Sequence, residues 1–310
     1  MNKFTKTFLI AGGICLGAGI IVTGIALGMA RKSGMADQGS YEKISTTITD
    51  NFENIHIEEI SHDIKFVISD DDSVKVEYWD NESLIHDLKV EDDTLTLTYK
   101  NSKHWWDWIN IGIPGITEPV NNTPHDTIIY LPEDEYKDLK ISGVSSDVII
   151  PEGFIFEDIS IDTVSGEITC QSEAVGNVKV DTTSGNLNEI SINGISATVN
   201  TVSGDVHISN SDLSGSLVIN TTSGEVALTD INISAVAINT TSGDINLVNY
   251  SSDNTSIDTT SGDIDAIVIG DYNIAFDSVS GDQNINCNNI SDGARFTVNT
   301  VSGDLTVRAA

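Results

Sequence analysis

The sequence predicts an all-β protein built as a parallel β-solenoid. Three observations carry this reading: a unit that recurs about every 19–20 residues, in–out alternation inside each unit, and a Ser-Gly pair at the same place in the units. The recurring core is apolar-x-apolar-[Asp/Asn]-[Thr/Ser]-[Thr/Val]-Ser-Gly-[Asp/Glu/Asn]-apolar. It reads IDTVSGEI, VDTTSGNL, VNTVSGDV, INTTSGEV, INTTSGDI, IDTTSGDI, FDSVSGDQ and VNTVSGDL. The Ser-Gly pairs start at Ser165, Ser184, Ser203, Ser223, Ser242, Ser261, Ser280 and Ser302, with spacings of 19, 19, 20, 19, 19, 19 and 22. A degenerate unit, GVSSDVII, places Ser145 one period earlier and brings the total to nine. A period of this length marks a solenoid, whose single coil cannot bury its own apolar face and so stacks on its neighbours.

Alternation within a unit sets the local structure. Val178, Val180 and Thr182 share one face, Lys179 and Asp181 the other, and Leu187 resumes the inner face after the turn. A period of two, with Val, Ile and Thr enriched, means strands. Glycine in the Ser-Gly turn permits backbone angles closed to other residues. Equivalent strands of successive coils pair in parallel, so each position of the repeat becomes a ladder, and nine coils make a rod of roughly 40 Å. Ile161, Val180, Val199, Ile219, Ile238, Ile257, Phe276 and Val298 are expected in one internal ladder. Thr163, Thr182, Thr201, Thr221, Thr240, Thr259, Ser278 and Thr300 form the next, with hydroxyls able to bond along the stack. The long last spacing reads as a loop near Asn288–Gly293.

Four segments follow. Residues 1–32 form an N-terminal transmembrane anchor: Phe8 to Ala30 is uncharged and long enough as a helix to cross the roughly 30 Å hydrocarbon core. Lys3 and Lys6 precede it, and Arg31 and Lys32 follow. A cleaved signal would have an apolar region of only about 7–15 residues. Residues 33–43 are a linker and 44–141 a β-rich lead-in and cap, with strands expected at Glu53–Glu59, Ile64–Ser69, Val74–Trp79, Leu88–Asp92, Thr94–Tyr99 and Thr127–Leu131. Asp70-Asp71-Asp72 and Asp92-Asp93 supply turns between them. Residues 142–310 are the regular solenoid. The chain ends about six residues after its last Ser-Gly-Asp, so an uncovered final coil is expected to stack on another rod, with Arg308 as an opposing edge charge.

Charge narrows the partners. The 310 residues carry a formal net charge of −32, and beyond Phe154 the only basic residues are Lys179, Arg295 and Arg308. Such a surface repels nucleic acid and anionic headgroups and tolerates or attracts cations and cationic polymers. Of the three cysteines, Cys15 lies in the apolar segment, while Cys170 and Cys287 fall six repeats apart, far beyond disulfide reach. No Cys-x-x-Cys or Cys/His cluster is present, and His56, His62, His86, His104, His125 and His207 show no metal spacing.

Two groups of side chains are candidate sites. Outward-facing acids beside the turn, Asp205, Glu225, Asp244, Asp263 and Asp282, stack as a ladder whose mutual repulsion a calcium ion would relieve. The nonapeptide calcium-roll motif is absent, and a solvated acidic face accounts for the same pattern. Trp105, Trp106 and Trp108 in KHWWDWINIGIPG form an aromatic patch that would grip a sugar, a partner or a membrane interface, or plug the first coil. No catalytic residues emerge. The Ser-Gly units lack the Gly-x-Ser-x-Gly spacing of a nucleophile elbow, and no break in the repeat marks a paired-acid site.

The TTSGD-type repeats, the DDSVKVEYW and DDTLTLTYK strands and the single N-terminal apolar segment resemble the bacterial LiaG-like adhesin family over roughly residues 41–310. The resemblance implies an envelope protein without established catalytic residues. The expected function is therefore a non-enzymatic rod with no cofactor beyond the calcium candidate, single-pass in the cell membrane with its C-terminal domain outside. It would bind an envelope polymer or protein. Alternatives are a scaffold that self-associates end to end and a polysaccharide-active enzyme.

Overall fold

The structure is a computed structural model that describes residues 41–81, 84–100, 125–190 and 192–310. The described residues hold 23 strands joined in a single sheet that coils into a solenoid of about nine turns. One parallel ladder runs through Thr94–Tyr99, Asn54–Glu59, Glu135–Gly143, Ile155–Asp162, Asn177–Asp181 and Asn193–Asn200. It continues along the second halves of the long strands Val206–Asn220, Val226–Asn239 and Ile245–Asp258. A second ladder runs from Thr127–Leu131 through Ile64–Ile68, Val148–Ile150, Ile168–Cys170 and Leu187–Ile190 into the first halves of the same long strands.

Alternation places the core as the sequence requires. In Val206–Asn220 the buried residues are Val206, Ile208, Ser211, Leu213, Leu217 and Ile219. The phase changes at Asn210, whose φ is +50°, and the equivalent Asp230 and Asn249 sit at +55° and +51°. Asn and Asp tolerate this left-handed corner better than other side chains, which is why the strand can bend without a glycine there. At the other corner the Ser-Gly glycine has two roles. Gly224, Gly243 and Gly262 have φ of +131°, +137° and +128°, and a Cβ on any of them would lie 2.0–2.2 Å from the carbonyl oxygen of the glycine one coil below. The Ser-Gly turns therefore stack backbone against backbone. Bridges between Ser145 and Ser165, and from Ser203 through Ser223, Ser242 and Ser261 to Ser302, bear out the degenerate first unit.

The threonines of the second ladder are buried and Ser278 is half-buried, but the hydroxyls bond differently from expectation. Those of Thr163, Thr221, Thr240 and Thr259 donate to the carbonyl two residues ahead in their own coil, at 3.1–3.3 Å. The hydroxyl bonds within its own turn and braces it. The ladder that does bond along the stack is the outward Asn/Asp one. Asn200 donates its amide to Asp181, Asn220 to Asn200, and Asn239 to Asn220, at 2.6–2.9 Å.

The C-terminal coil departs from the expected order. Ala294–Ser302 pairs on one side with Ile245–Asp258 and on the other with Tyr272–Ser280. Leu305–Ala309 likewise lies between Ile264–Val268 and Gln283–Asn286. The last coil in sequence is thus covered on both sides, and Arg308 pairs with Asp265 at 2.5 Å instead of guarding an edge. The core explains the order. Phe296, Val298, Leu305 and Val307 are all fully buried, whereas the end coil carries Gln283 where its neighbours have Leu305 and Ile264. The coil with the poorer inner face takes the end, and the insertion at Asn288–Gly293 lets the chain step back.

At the other end the six expected strands are present to within two residues, joined by Glu42–Ile48 and Glu135–Gly143. His86–Glu91 forms an antiparallel hairpin with Thr94–Tyr99 through Asp92 and Asp93, both at positive φ as a two-residue turn demands. Val74–Asp80 lies antiparallel to Thr127–Leu131, with Glu42–Ile48 antiparallel on its outer edge. These reversals end the parallel stack, and a stack of unpaired strand edges needs such a cover. Among the described residues no helix is long and apolar enough to cross a membrane. The expected anchor at residues 1–32 lies outside them.

Candidate functional site

The site begins with a charged residue in a core position. Asn54–Glu59 alternates so that Ile55, Ile57 and Glu59 all face inward, and Glu59 is 2 % exposed. Glu59 pairs with Gly143, beside the ladder position that Thr163 holds one coil on. A carboxylate here must be satisfied from within. Tyr99 donates its hydroxyl to Glu59 Oε2 at 2.7 Å, and the Thr127 hydroxyl donates to Oε1. His62, three residues on in the turn, brings Nδ1 to 3.6 Å from Oε2, and His86, at the start of the cap hairpin, brings Nε2 to 3.2 Å from Oε1. Asp80 Oδ1 lies 2.7 Å from His86 Nδ1 and also accepts the His86 backbone N–H at 3.0 Å.

The titration of these groups follows from that enclosure. Burial alone would raise Glu59, but the contacts and charges of His62 and His86 outweigh it and hold the carboxyl at about 2. Burial works to lower His86, and the Glu59 and Asp80 carboxylates overcome it and raise it. Burial, then the Glu59 charge, raises the Tyr99 phenol well above its ordinary value. An aromatic shell closes around the cluster: the His86 ring centroid is 4.4 Å from Tyr99 and 5.0 Å from Tyr78, and His62 stacks with His125 at 6.0 Å. Glu59, His62 and His86 each offer one ligand atom, all within 4.8 Å of one another.

Sequence spacing did not reveal this group, because its members are brought together by coiling and by the cap hairpin. The available signal was Glu59 itself, a carboxylate on the inward phase of a strand whose other inward residues are Ile55 and Ile57.

The expected acidic ladder stacks one residue per coil. Its carboxylates are tied into the backbone: Asp205 Oδ1 accepts the Glu225 N–H, Asp244 Oδ1 that of Asp263, and Asp263 Oδ1 that of Asp304, at 2.8–2.9 Å. Glu225 instead accepts the Asn246 amide at 2.7 Å, and Asp282 at the end coil donates its N–H to Asp304. Trp105, Trp106 and Trp108 lie outside the described residues. Cys170 is buried and free, its thiol pushed up to about 12 by burial, and Cys287 is half-buried and free.

A capped, acidic parallel β-solenoid with an enclosed carboxylate–histidine cluster is thus the class of protein the fold defines. The chain belongs to the Toastrack DUF4097 family, whose model matches residues 52–308. Solved structures resemble it more loosely. A protein from Parabacteroides distasonis, named a putative adhesin, is 14 % identical, with 88 % of this chain and 98 % of that one covered and a TM-score of 0.38. One from Bacteroides fragilis, also so named, is 16 % identical, covering 88 % and 100 %, at a TM-score of 0.37. A further Parabacteroides distasonis protein, named as lipid binding, is 17 % identical, covering 88 % and 98 %, at 0.35. No curated protein matches the chain.

Proposed function

We propose that the chain is a non-enzymatic rod of the cell envelope, tethered by residues 1–32 with its solenoid outside, which binds a partner of opposite charge along its length. The observation that supports this reading is the fixed acidic and amide lattice of the rod. Its carboxylates are held by the backbone of the next coil and its asparagines by one another, so the outward groups repeat in register at the strand spacing of about 4.8 Å. An array of like charge held at fixed spacing suits an extended cationic polymer better than a small molecule. The oxygens of Asp205, Glu225, Asp244, Asp263 and Asp282 left free by the backbone are the ones that calcium would use in competition. The test is binding of the full chain in lipid nanodiscs to a cationic glycan, to its neutral N-acetylated form and to a polyanion. Binding of the cationic glycan alone, falling with salt and with added calcium, is the expected result. Equal binding of all three, or shortening of the glycan, would overturn it.

A second reading, end-to-end association, draws on the end coil. Beyond Tyr272, which also bridges Asn289, Tyr272–Ser280 has a strand partner on one side only among the described residues, and Val279 is 82 % exposed. Sedimentation of the full chain in detergent across concentration tests this reading, and Val279→Lys should abolish any growth into longer rods.

A further inference from the structure

We infer that Glu59, His62 and His86 form a binding site for one divalent transition-metal ion of the zinc type, which clamps the antiparallel cap to the first parallel coil. Three buried side chains converge with no hydrogen bond between the histidines and the carboxylate. His86 Nε2 lies 3.2 Å from Glu59 Oε1 and His62 Nδ1 3.6 Å from Oε2, yet among the described residues neither nitrogen has a hydrogen-bond partner. Side chains as buried as these, at 2–5 % exposure, rarely leave polar atoms unmatched. One ligand atom from each residue lies within 4.8 Å of the others, close enough for all three to contract onto one ion. Donors at about 2.1 Å from zinc in a tetrahedron lie roughly 3.4 Å apart.

The surroundings match what holds a metal ligand. His86 Nδ1 is 2.7 Å from Asp80 Oδ1, which fixes that nitrogen as the donor and leaves Nε2 with its lone pair free to take an ion. A carboxylate behind an imidazole is the usual support of a coordinating histidine. The Tyr99 and Thr127 hydroxyls orient Glu59 in the same way. A proton on His86 in place of a metal would produce an imidazolium between two carboxylates. That species would donate its Nε2–H to Glu59 Oε1, and no such hydrogen bond is formed. Two imidazoles and one carboxylate select zinc, cobalt(II), iron(II) or manganese over calcium and magnesium, which take oxygen ligands. The three ligands come from the end of Asn54–Glu59, the turn after it and the first residue of His86–Glu91. An ion there joins segments whose strand pairing, among the described residues, runs through Thr94–Tyr99.

The experiment uses the full chain in detergent, treated with chelator and titrated with Co2+ and Zn2+ alone. The expected result is one equivalent of Co2+ with the intense visible absorption of a four- or five-coordinate nitrogen-ligated site, displaced by Zn2+ and not by excess Ca2+. His62→Ala and His86→Ala should each weaken binding at least about 100-fold, and Asp80→Asn about 10–100-fold. Should an alanine variant fail to fold, the wild-type spectrum still decides, since it reports the ligand atoms directly. A weak octahedral, oxygen-only spectrum, no stoichiometric binding, or undiminished binding in both histidine variants would overturn the site.

Discussion

Replacing Gly243 with alanine tests the stacked-turn reasoning most directly. The residue sits at φ +137°, and an added Cβ would lie 2.0 Å from the Gly224 carbonyl oxygen, 2.9 Å from its carbon and 3.2 Å from its nitrogen. Ordinary contact begins near 3.4 Å, so the coils would have to part by more than an ångström, and all three neighbouring atoms are backbone that cannot swing aside. That movement stretches the two backbone bonds across the same pair of turns, Ser242 N–H to Thr222 and Val226 N–H to Asp244, each 3.0 Å long. Two weakened backbone bonds at about 1 kcal/mol apiece, together with about 1–3 kcal/mol of backbone strain, give a cost of about 3–5 kcal/mol. Gly270 is the control: its φ is +109°, but nothing lies within 4 Å of its added Cβ. Gly270→Ala should cost only the strain, about 1–2 kcal/mol. Urea denaturation of both variants gives the comparison, and hydrogen exchange should localise the Gly243→Ala defect to the turns on either side. Equal costs for the two substitutions would refute the close-approach argument and leave conformational freedom as the only role of the repeat glycine.

Three further outcomes are expected. Burial, and then the Asp181 carboxylate one coil away, raise Asp162, so its charged form destabilises the fold above its titration and the penalty fades as acid protonates it. Asp162→Asn, which installs the amide that Asn200 and Asn220 carry at equivalent positions, should raise the melting temperature at pH 7 by a few degrees, for about 1 kcal/mol, with a smaller gain at pH 3; an equal gain at both would count against the charge argument. The Cys170 thiol, buried and held near 12, should resist alkylation at pH 8 in the native protein and react fully in urea, while half-buried Cys287 reacts first. Cysteine pairs read the order of the last coils in a background lacking Cys15 and Cys287. Asp258→Cys with Asn299→Cys, in adjacent coils, should oxidise to a disulfide, and Asp258→Cys with Asp277→Cys, one coil further apart, should not. The reverse pattern would restore stacking in sequence order.

The repeat was legible because its physics is local. Alternation, the Ser-Gly turn and the period are each written within about 20 residues, and the ladders expected from them, Val180 over Val199 over Ile219, are the observed register. The order of the final coils was not legible in the period, since the unit FDSVSGDQ scores as a repeat like any other. What decides its place is the quality of one inward position. Gln283 on an inner face loses less at an end, where one side stays open, than in the middle between Ile264 and Leu305. A polar residue at an apolar repeat position is therefore a signal for the terminal coil, wherever it falls in the sequence.

The same rule, applied at the opposite end, would have found the buried cluster. Glu59 breaks the inward pattern of Ile55 and Ile57 as Gln283 breaks that of Leu305 and Ile264, yet the chain treats the two differently. Gln283 is uncharged and can face water at an open end. Glu59 is covered by the hairpin His86–Glu91 and by Thr127–Leu131, and an ionised carboxylate so enclosed must be matched by donors or by a cation. Tyr99, Thr127, His62 and His86 converge on it from four separate segments, which no pairwise spacing in the sequence encodes. The irregular first coils are thus where the repeat yields to a specific polar arrangement, and the cap that closes the stack is also what makes that arrangement dry enough to hold its geometry.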